Sequence, residues 1–275
     1  VDTENGGSGC PGDALIITRT WTFDDGCGNS CSVFQTITVV DNVAPTFNEA
    51  CPDNATVSCN AIPEAVTLTA SDNCSSAPVT YSEVTGDGDC QYTITRTWTA
   101  KDACGNEAVC VQVLTVVDDV DPVCPTPPAA KTYACLSDVP APGTLTATDD
   151  CQGNLPVTGV DSYNGGSGCL FDTLIITRTW TFDDGCGNSC SVFQTIKVVD
   201  DVAPDAPAPP ADLTVQCAAD VPLPIDLVAI DNCDGPVPGI RLENSAPGPC
   251  TNSFTVTRTW TFTDGCGNSS SVSQT

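Results

Sequence analysis

The chain contains no histidine and no methionine, and only eight lysines and arginines among its 275 residues. Without histidine there is no side chain whose ordinary pKa sits near neutrality, so the usual general base and the Ser-His-Asp arrangement are both missing. Eight cations against 35 aspartates and glutamates leave a net charge of −27. Such a surface cannot displace counterions from nucleic acid, and it is repelled by anionic lipid. No apolar run reaches the roughly 18 residues that span a bilayer. No signal peptide is visible, because Val1 opens inside a repeat, and any targeting or anchoring signal is expected outside this sequence.

What the chain does contain is cysteine: 19 residues, which point to an oxidising compartment outside the cytosol. The acidic excess alone would also suit a disordered chain. A hydrophobic content of 40% and regular Val/Ile/Thr strands argue against disorder.

Internal repetition dominates the sequence. Thr-Arg-Thr-Trp occurs at Thr18–Trp21, Thr95–Trp98, Thr177–Trp180 and Thr257–Trp260. Successive copies begin 77, 82 and 80 residues apart (95 − 18, 177 − 95, 257 − 177). Six residues after each Trp stands Cys-Gly-Asn, opened by Cys27, Cys104, Cys186 and Cys266. Acidic joints ending in proline follow at Asp41–Pro45, Asp118–Pro122 and Asp200–Pro204. These marks divide the chain into the back half of a repeat (1–41), two whole repeats (42–118 and 119–200), and a fourth (201–275) that stops inside its last strand.

Within 42–118 the pattern predicts strands at Thr56–Cys59, Val66–Ala70, Val79–Val84, Gln91–Ala100 and Ala108–Val117, separated by Pro, Gly, Asn and Asp turns. Many short strands per repeat with no helical periodicity predict an all-β chain of small β-sandwiches. Alternation along Leu15–Phe23 puts Ile17, Arg19, Trp21 and Phe23 on a core face, with Thr18, Thr20 and Thr22 opposite. An arginine between Ile and Trp on such a face should stack on an aromatic ring or pair with a carboxylate.

The opening Cys51–Cys59, the Asp72-Asn73-Cys74 turn, the stretch Thr95–Asn106 and the closing Thr115–Asp118 together resemble hyalin-type (HYR-like) repeats. The resemblance implies immunoglobulin-like modules in tandem. The cysteine-rich version is similar to arrays in large secreted surface adhesins of Bacteroidota, which implies an extracellular, cell-surface structural or adhesive role.

Repeat 201–275 lacks the first cysteine and carries Ser270 where Cys31 and Cys190 stand. Their joint loss predicts first-to-last bonds, Cys51–Cys110 and Cys124–Cys190. Strand direction places Cys59 and Cys90 at one end of a repeat, and Cys74 and Cys104 at the other. Pairing within each repeat then gives Cys59–Cys90, Cys74–Cys104, Cys135–Cys169, Cys151–Cys186, Cys217–Cys250 and Cys233–Cys266. Cys10, Cys27 and Cys31 are left to partners upstream. The spacing Cys-Gly-Asn-Ser-Cys (27–31, 186–190) also suits a metal hook, but zinc sites add a second hook or a histidine, and neither is present.

The same directions carry each acidic joint to the turns of the next repeat. Asp41 should approach Asp72 and Asp102. Asp118, Asp119 and Asp121 should approach Asp149, Asp150 and Asp184, and Asp200 and Asp201 should approach Asp231 and Asp264. Converging carboxylates with irregular loops suit Ca²⁺ at the joints. The alternative is that these residues serve only as turn formers and solvated charge. Neither an EF-hand nor a glycine-aspartate nonapeptide is present.

No catalytic set is visible, and carboxylate pairs such as Asp24–Asp25 recur at turn positions instead of marking one site. Two functions compete. In one the repeats are a stalk or fibre, with neighbouring repeats and further copies in a filament as partners. In the other they are an adhesin that binds surface glycan or a partner protein through the varied segments Thr85–Tyr92, Asp161–Asp172 and Glu243–Ser253.

Overall fold

A computed structural model describes residues 1–249 and 253–275. The chain is all-β, and its described residues divide into two compact units. The first comprises 1–120 together with 150–152 and 185–188; the second comprises 121–149, 153–184 and 189–275.

In the first unit, strands β1 (Asp2–Glu4), β2 (Leu15–Asp24) and β3 (Ser30–Val39) form an antiparallel sheet. β4 (Thr46–Phe47) pairs with β6 (Ala70–Ser71). The larger sheet has the order β5 (Ala55–Ser58), β9 (Glu107–Val117), β8 (Gln91–Lys101), β7 (Val79–Thr85). β5 runs parallel to β9, while the β9–β8 and β8–β7 pairs are antiparallel. The expected Val66–Ala70 strand is absent as such. Only Ala70–Ser71 is paired, because the carbonyl of Val66 is taken by the Trp98 indole N–H instead of a ladder.

The second unit repeats the plan. β10 (Lys131–Tyr133), β15 (Ser189–Val198), β14 (Leu174–Asp183) and β13 (Val160–Tyr163) form one sheet in that order, with β10 parallel to β15. β11 (Thr144–Asp149) pairs with β12 (Gly153–Thr158). β16 (Val228–Asp231) pairs with β17 (Gly235–Pro238). β18 (Ile240–Pro247), β19 (Phe254–Thr263) and β20 (Ser269–Gln274) form the last sheet.

The alternation of each Thr-Arg-Thr-Trp strand decides the core. Ile94, Arg96, Trp98 and Ala100 are buried on β8; Ile176, Arg178, Trp180 and Phe182 are buried on β14. On β2 the same face is open among the described residues, and Trp21 is 45% exposed. The buried arginine separates two apolar clusters in each whole repeat. On β14 these are Trp180 and Phe182 with Ala147 and Val192, and Leu174 and Ile176 with Ile196 and Val198. The arginine of every Thr-Arg-Thr-Trp copy, buried or not, pairs with a carboxylate on the neighbouring strand: the exposed Arg19 with Asp2, and the buried Arg96 with Glu83, Arg178 with Asp161, and Arg258 with Glu243. In the three later repeats its second nitrogen also donates to a proline carbonyl, Pro63, Pro140 or Pro222. In those three repeats the charge is therefore buried beside a carboxylate and a carbonyl that accept from it, which is the condition for tolerating it.

The disulfides depart most from expectation. Cys51–Cys110 and Cys124–Cys190 join the first and last cysteines inside a repeat. The pairs Cys59–Cys90, Cys74–Cys104, Cys135–Cys169, Cys151–Cys186 and Cys233–Cys266 do not form. In their place stand Cys10–Cys104, Cys59–Cys151, Cys90–Cys186, Cys135–Cys233 and Cys169–Cys266, each bonding one repeat to the next. Cys59 and Cys90 do share one end of their repeat, because β5 parallels β9 and β9 opposes β8. Sharing an end does not make them neighbours of each other. Each meets a turn of the following repeat, where Cα–Cα separations of 5.9 and 5.2 Å suit a disulfide. Cys10 accordingly bonds downstream, to Cys104, and not upstream. Cys27, Cys31, Cys74 and Cys217 are unpaired among the described residues. Cys250, the expected partner of Cys217, lies outside them.

The cross-linked acidic joint as candidate functional site

Each joint is assembled from two turns and one strand end. The first turn is Asp-x-Cys-Gly-Asn. The Asp102 carboxylate accepts the Asn106 backbone N–H at 2.8 Å and its side-chain amide at 2.7 Å. Asp264 holds Asn268 in the same way, at 2.8 and 2.9 Å. The intervening Gly105 and Gly267 adopt φ of 88° and 87°, which only glycine takes without strain. So fastened, the asparagine amide reaches the carbonyl of the joint aspartate: Asn106 to Asp41 at 3.4 Å, Asn188 to Asp118 at 3.3 Å, and Asn268 to Asp200 at 3.3 Å. The Cys-Gly-Asn motif thus positions a cysteine for the cross-link and an asparagine for the joint.

The second turn is the Asp-Asn-Cys or Asp-Asn-Cys-like bend. Asp72 accepts the backbone N–H groups of Cys74 and Ser75, at 2.8 and 3.0 Å. Asp231 accepts those of Cys233 and Asp234, both at 2.8 Å. In each case a single carboxylate oxygen takes both donors, Oδ2 in Asp72 and Oδ1 in Asp231. The joint aspartates bind the N–H two residues ahead, Asp41 with Val43, Asp118 with Val120 and Asp200 with Val202.

Carboxylates converge where turn and joint meet. Oxygens of Asp41 and Asp72 lie within 4.8 Å of each other and of the Cys74 sulfur. Asp200, Asp231 and Cys233 form the equivalent group, and Asp118 meets the sulfurs of Cys59 and Cys151 within the first unit. Asp41, Asp102, Asp149, Asp184, Asp200, Asp231 and Asp264 are all buried. By contrast Asp119, Asp121, Asp150 and Asp201 are exposed and belong to none of these groups. Asp102 and Asp264 point their oxygens into their own turn, so they act as anchors for Asn106 and Asn268.

Electrostatics reflect the crowding. Burial pushes the Asp200 carboxyl above its ordinary range, against the Val202 N–H, and the charges of Asp231, Asp264 and Asp234 push it further. The Cys74 thiol is raised by desolvation and by Asp41, Asp72 and Asp102. Desolvation also opposes charge on Asp102, but the donors of Asn106, Cys104 and Gly105 outweigh it and hold that carboxyl low.

The inter-repeat cystines complete the joint. Cys59–Cys151 and Cys90–Cys186 both lie in the first unit, which is why 150–152 and 185–188 belong to it. Cys135–Cys233 and Cys169–Cys266 form the same pair of links within the second unit. Gln152 adds a hydrogen bond from its side-chain amide to the Asp89 carbonyl at 3.0 Å.

Among solved structures the chain is similar to the protocadherin gammaB7 EC3-6 cis-dimer, at 12% identity over 95% of this chain and 83% of that one, with a TM-score of 0.34. It is also similar to the human desmocollin-1 ectodomain (12%, 96% and 64%, TM-score 0.26) and to mouse cadherin-23 EC22-24 (13%, 84% and 97%, TM-score 0.26). No curated protein sequence matches the chain. No described helix is long and apolar enough to cross a membrane. The family model described as "HYR-like domain with 4 cysteines" matches residues 123–198 and 205–275, more than half of the sequence. The chain therefore belongs to the HYR-like domain family and is an extracellular-type protein of tandem all-β repeats.

Proposed function

We propose that this chain is a load-bearing stalk or fibre segment of a cell-surface protein, and that its repeats are laced together covalently so that tension bypasses their folds. The observation that carries this reading is the recurrence of two disulfides at successive joints, Cys59–Cys151 with Cys90–Cys186 and Cys135–Cys233 with Cys169–Cys266. These bonds trace a short covalent path. From Cys10 it crosses to Cys104, returns along β8 to Cys90, crosses to Cys186, returns along β14 to Cys169, and crosses to Cys266. A second path runs from Cys59 to Cys151, along β11 to Cys135, and on to Cys233.

The backbone in the first path is little more than one strand per repeat, and a strand is already near its full length at about 3.3 Å per residue. An unlaced repeat of about 80 residues would release roughly 260 Å on unfolding. In the laced chain that length is locked behind cystines. Stretching of the intact, oxidised chain by single-molecule force spectroscopy should give no full-repeat length steps, and such steps should emerge after reduction. Full-length steps from the oxidised chain would contradict the proposal.

One observation favours direct adhesion as a second reading. Phe171 is 98% exposed at the tip of the β13–β14 connection, within the varied Asp161–Asp172 segment. A bare ring is a stacking platform for a sugar face. Glycan-array binding that is abolished by Phe171→Ala would support this reading, and an array with no signal would leave the stalk alone.

A further inference from the structure

The joint holds carboxylates that its own hydrogen bonds leave incomplete. The Asp231 side chain is 3% exposed; its Oδ1 takes two backbone donors, and its Oδ2 is buried with no hydrogen-bond partner. Asp200, 5% exposed, brings a carboxylate oxygen within 4.8 Å. The arrangement recurs in the other unit. Asp41 is 6% exposed with Oδ2 unpartnered, and it faces Asp72, whose buried Oδ1 is also unpartnered. Among the described residues no lysine or arginine forms an ion pair with Asp41, Asp72, Asp200 or Asp231. Paired buried carboxylates with orphaned oxygens and no cationic side chain are relieved either by a shared proton or by a cation between them.

The geometry points to a hard divalent cation, Ca²⁺, bridging Asp200 to Asp231 and Asp41 to Asp72. At Asp200–Asp231 the neighbouring sulfur offers no soft-metal ligand, because Cys233 is committed to its bond with Cys135, while at Asp41–Asp72 the free Cys74 thiol stands beside two hard carboxylates. Mg²⁺ keeps several waters in strict octahedral order, for which carboxylates this buried leave little room, whereas Ca²⁺ accepts irregular oxygen sets. With two carboxylates per ion the affinity should be that of extracellular modules, a dissociation constant of about 10⁻⁴–10⁻³ M. This inference stands apart from the lacing of the repeats, since a bridging ion needs only the turn and the joint aspartate.

The test is calcium retention by equilibrium dialysis of the whole disulfide-intact chain at about 10⁻³ M Ca²⁺. It compares the wild type with Asp72→Asn/Asp231→Asn and with the exposed-site control Asp201→Asn. The asparagines keep shape and the oxygen that holds each turn, and mass spectrometry of the intact cystines checks folding. The double variant should retain about one to two fewer ions per chain at this concentration, and the control as many as wild type. Calorimetric melting gives a second readout: calcium should raise the melting temperature of wild type and control, and much less that of the double variant. No calcium retained by wild type, or equal retention by the double variant, would overturn the inference.

Discussion

Cys90, in the loop before β8, is bonded to Cys186, in the turn after β14 of the following repeat, with Cα atoms 5.2 Å apart. The bond ties the start of one Thr-Arg-Thr-Trp strand to the end of the next. A thiol pair thereby does what a linker does in most tandem arrays, and proline joints such as Val43-Ala44-Pro45 need not be stiff on their own.

The repeat that lost its first-to-last bridge should accept one again. Ser270 opposes Phe262 on β20 as Cys190 opposes Phe182 on β15. Its hydroxyl donates to the Pro204 carbonyl at 2.6 Å. The Asp205–Ile230 bridge matches Val123–Thr148, which places Ala206 where Cys124 stands. The pair Ala206→Cys/Ser270→Cys should oxidise spontaneously and stabilise the repeat by about 2–4 kcal/mol in urea unfolding, a gain lost on reduction.

Removal of the buried guanidinium should be costly. Arg178 is 4% exposed and donates to both Asp161 oxygens and to the Pro140 carbonyl. Arg178→Ala leaves the Asp161 charge uncompensated and should destabilise by about 3–5 kcal/mol. Arg178→Met with Asp161→Leu should recover much of that loss, since an apolar pair of similar volume replaces a buried ion pair at little cost.

At Gly159 the backbone passes close over the core. A methyl there would lie 2.8 Å from Cε2 of Trp180, a ring that is 2% exposed and has its N–H donated to the Gly143 carbonyl. Gly159→Ala should cost about 1–3 kcal/mol through overpacking and should shift Trp180 fluorescence.

Acid should weaken repeat 42–118 through Glu83. The Tyr81 hydroxyl, then the Arg96 guanidinium, hold its carboxyl below the ordinary 4.5. A carboxylate depressed by folding contributes stability above its unfolded pKa and loses it as pH falls through the lower folded value. Glu83→Gln should therefore be less stable than wild type at neutral pH, with the difference shrinking below pH 4.5. Urea titrations of both proteins across that range check it.

The fold was legible where its period was strong. Val/Ile/Thr alternation located β8 and β9, and the arginine amid apolar residues called for an aromatic ring or a carboxylate, of which Glu83 and Asp161 supply the carboxylate from the adjacent strand. The Val66–Ala70 segment misled because its Val-Thr-Leu-Thr alternation cannot reveal that the Val66 carbonyl is claimed by an indole. The cystines misled for a different reason. Strand direction fixes the end of the repeat at which a cysteine sits, and that much held for Cys59 and Cys90. It does not say whether the partner lies beside it or across the joint. One signal was available: the last strand delivers each joint to the opposite end of the next repeat, and so brings Cys59 and Cys90 to Cys151 and Cys186. The joint aspartates were legible as a group, but their division into Asn-anchoring Asp102 and Asp264 and orphaned Asp41 and Asp231 depends on hydrogen bonds that no spacing encodes.

Covalent lacing of successive repeats is tested most directly by mapping the cystines of the secreted, unreduced protein with proteolysis and mass spectrometry. The account predicts linked peptides carrying Cys59–Cys151, Cys90–Cys186, Cys135–Cys233 and Cys169–Cys266, all lost on reduction. Peptides linking Cys59 to Cys90 and Cys135 to Cys169 would contradict it, and would return each repeat to a self-contained bead.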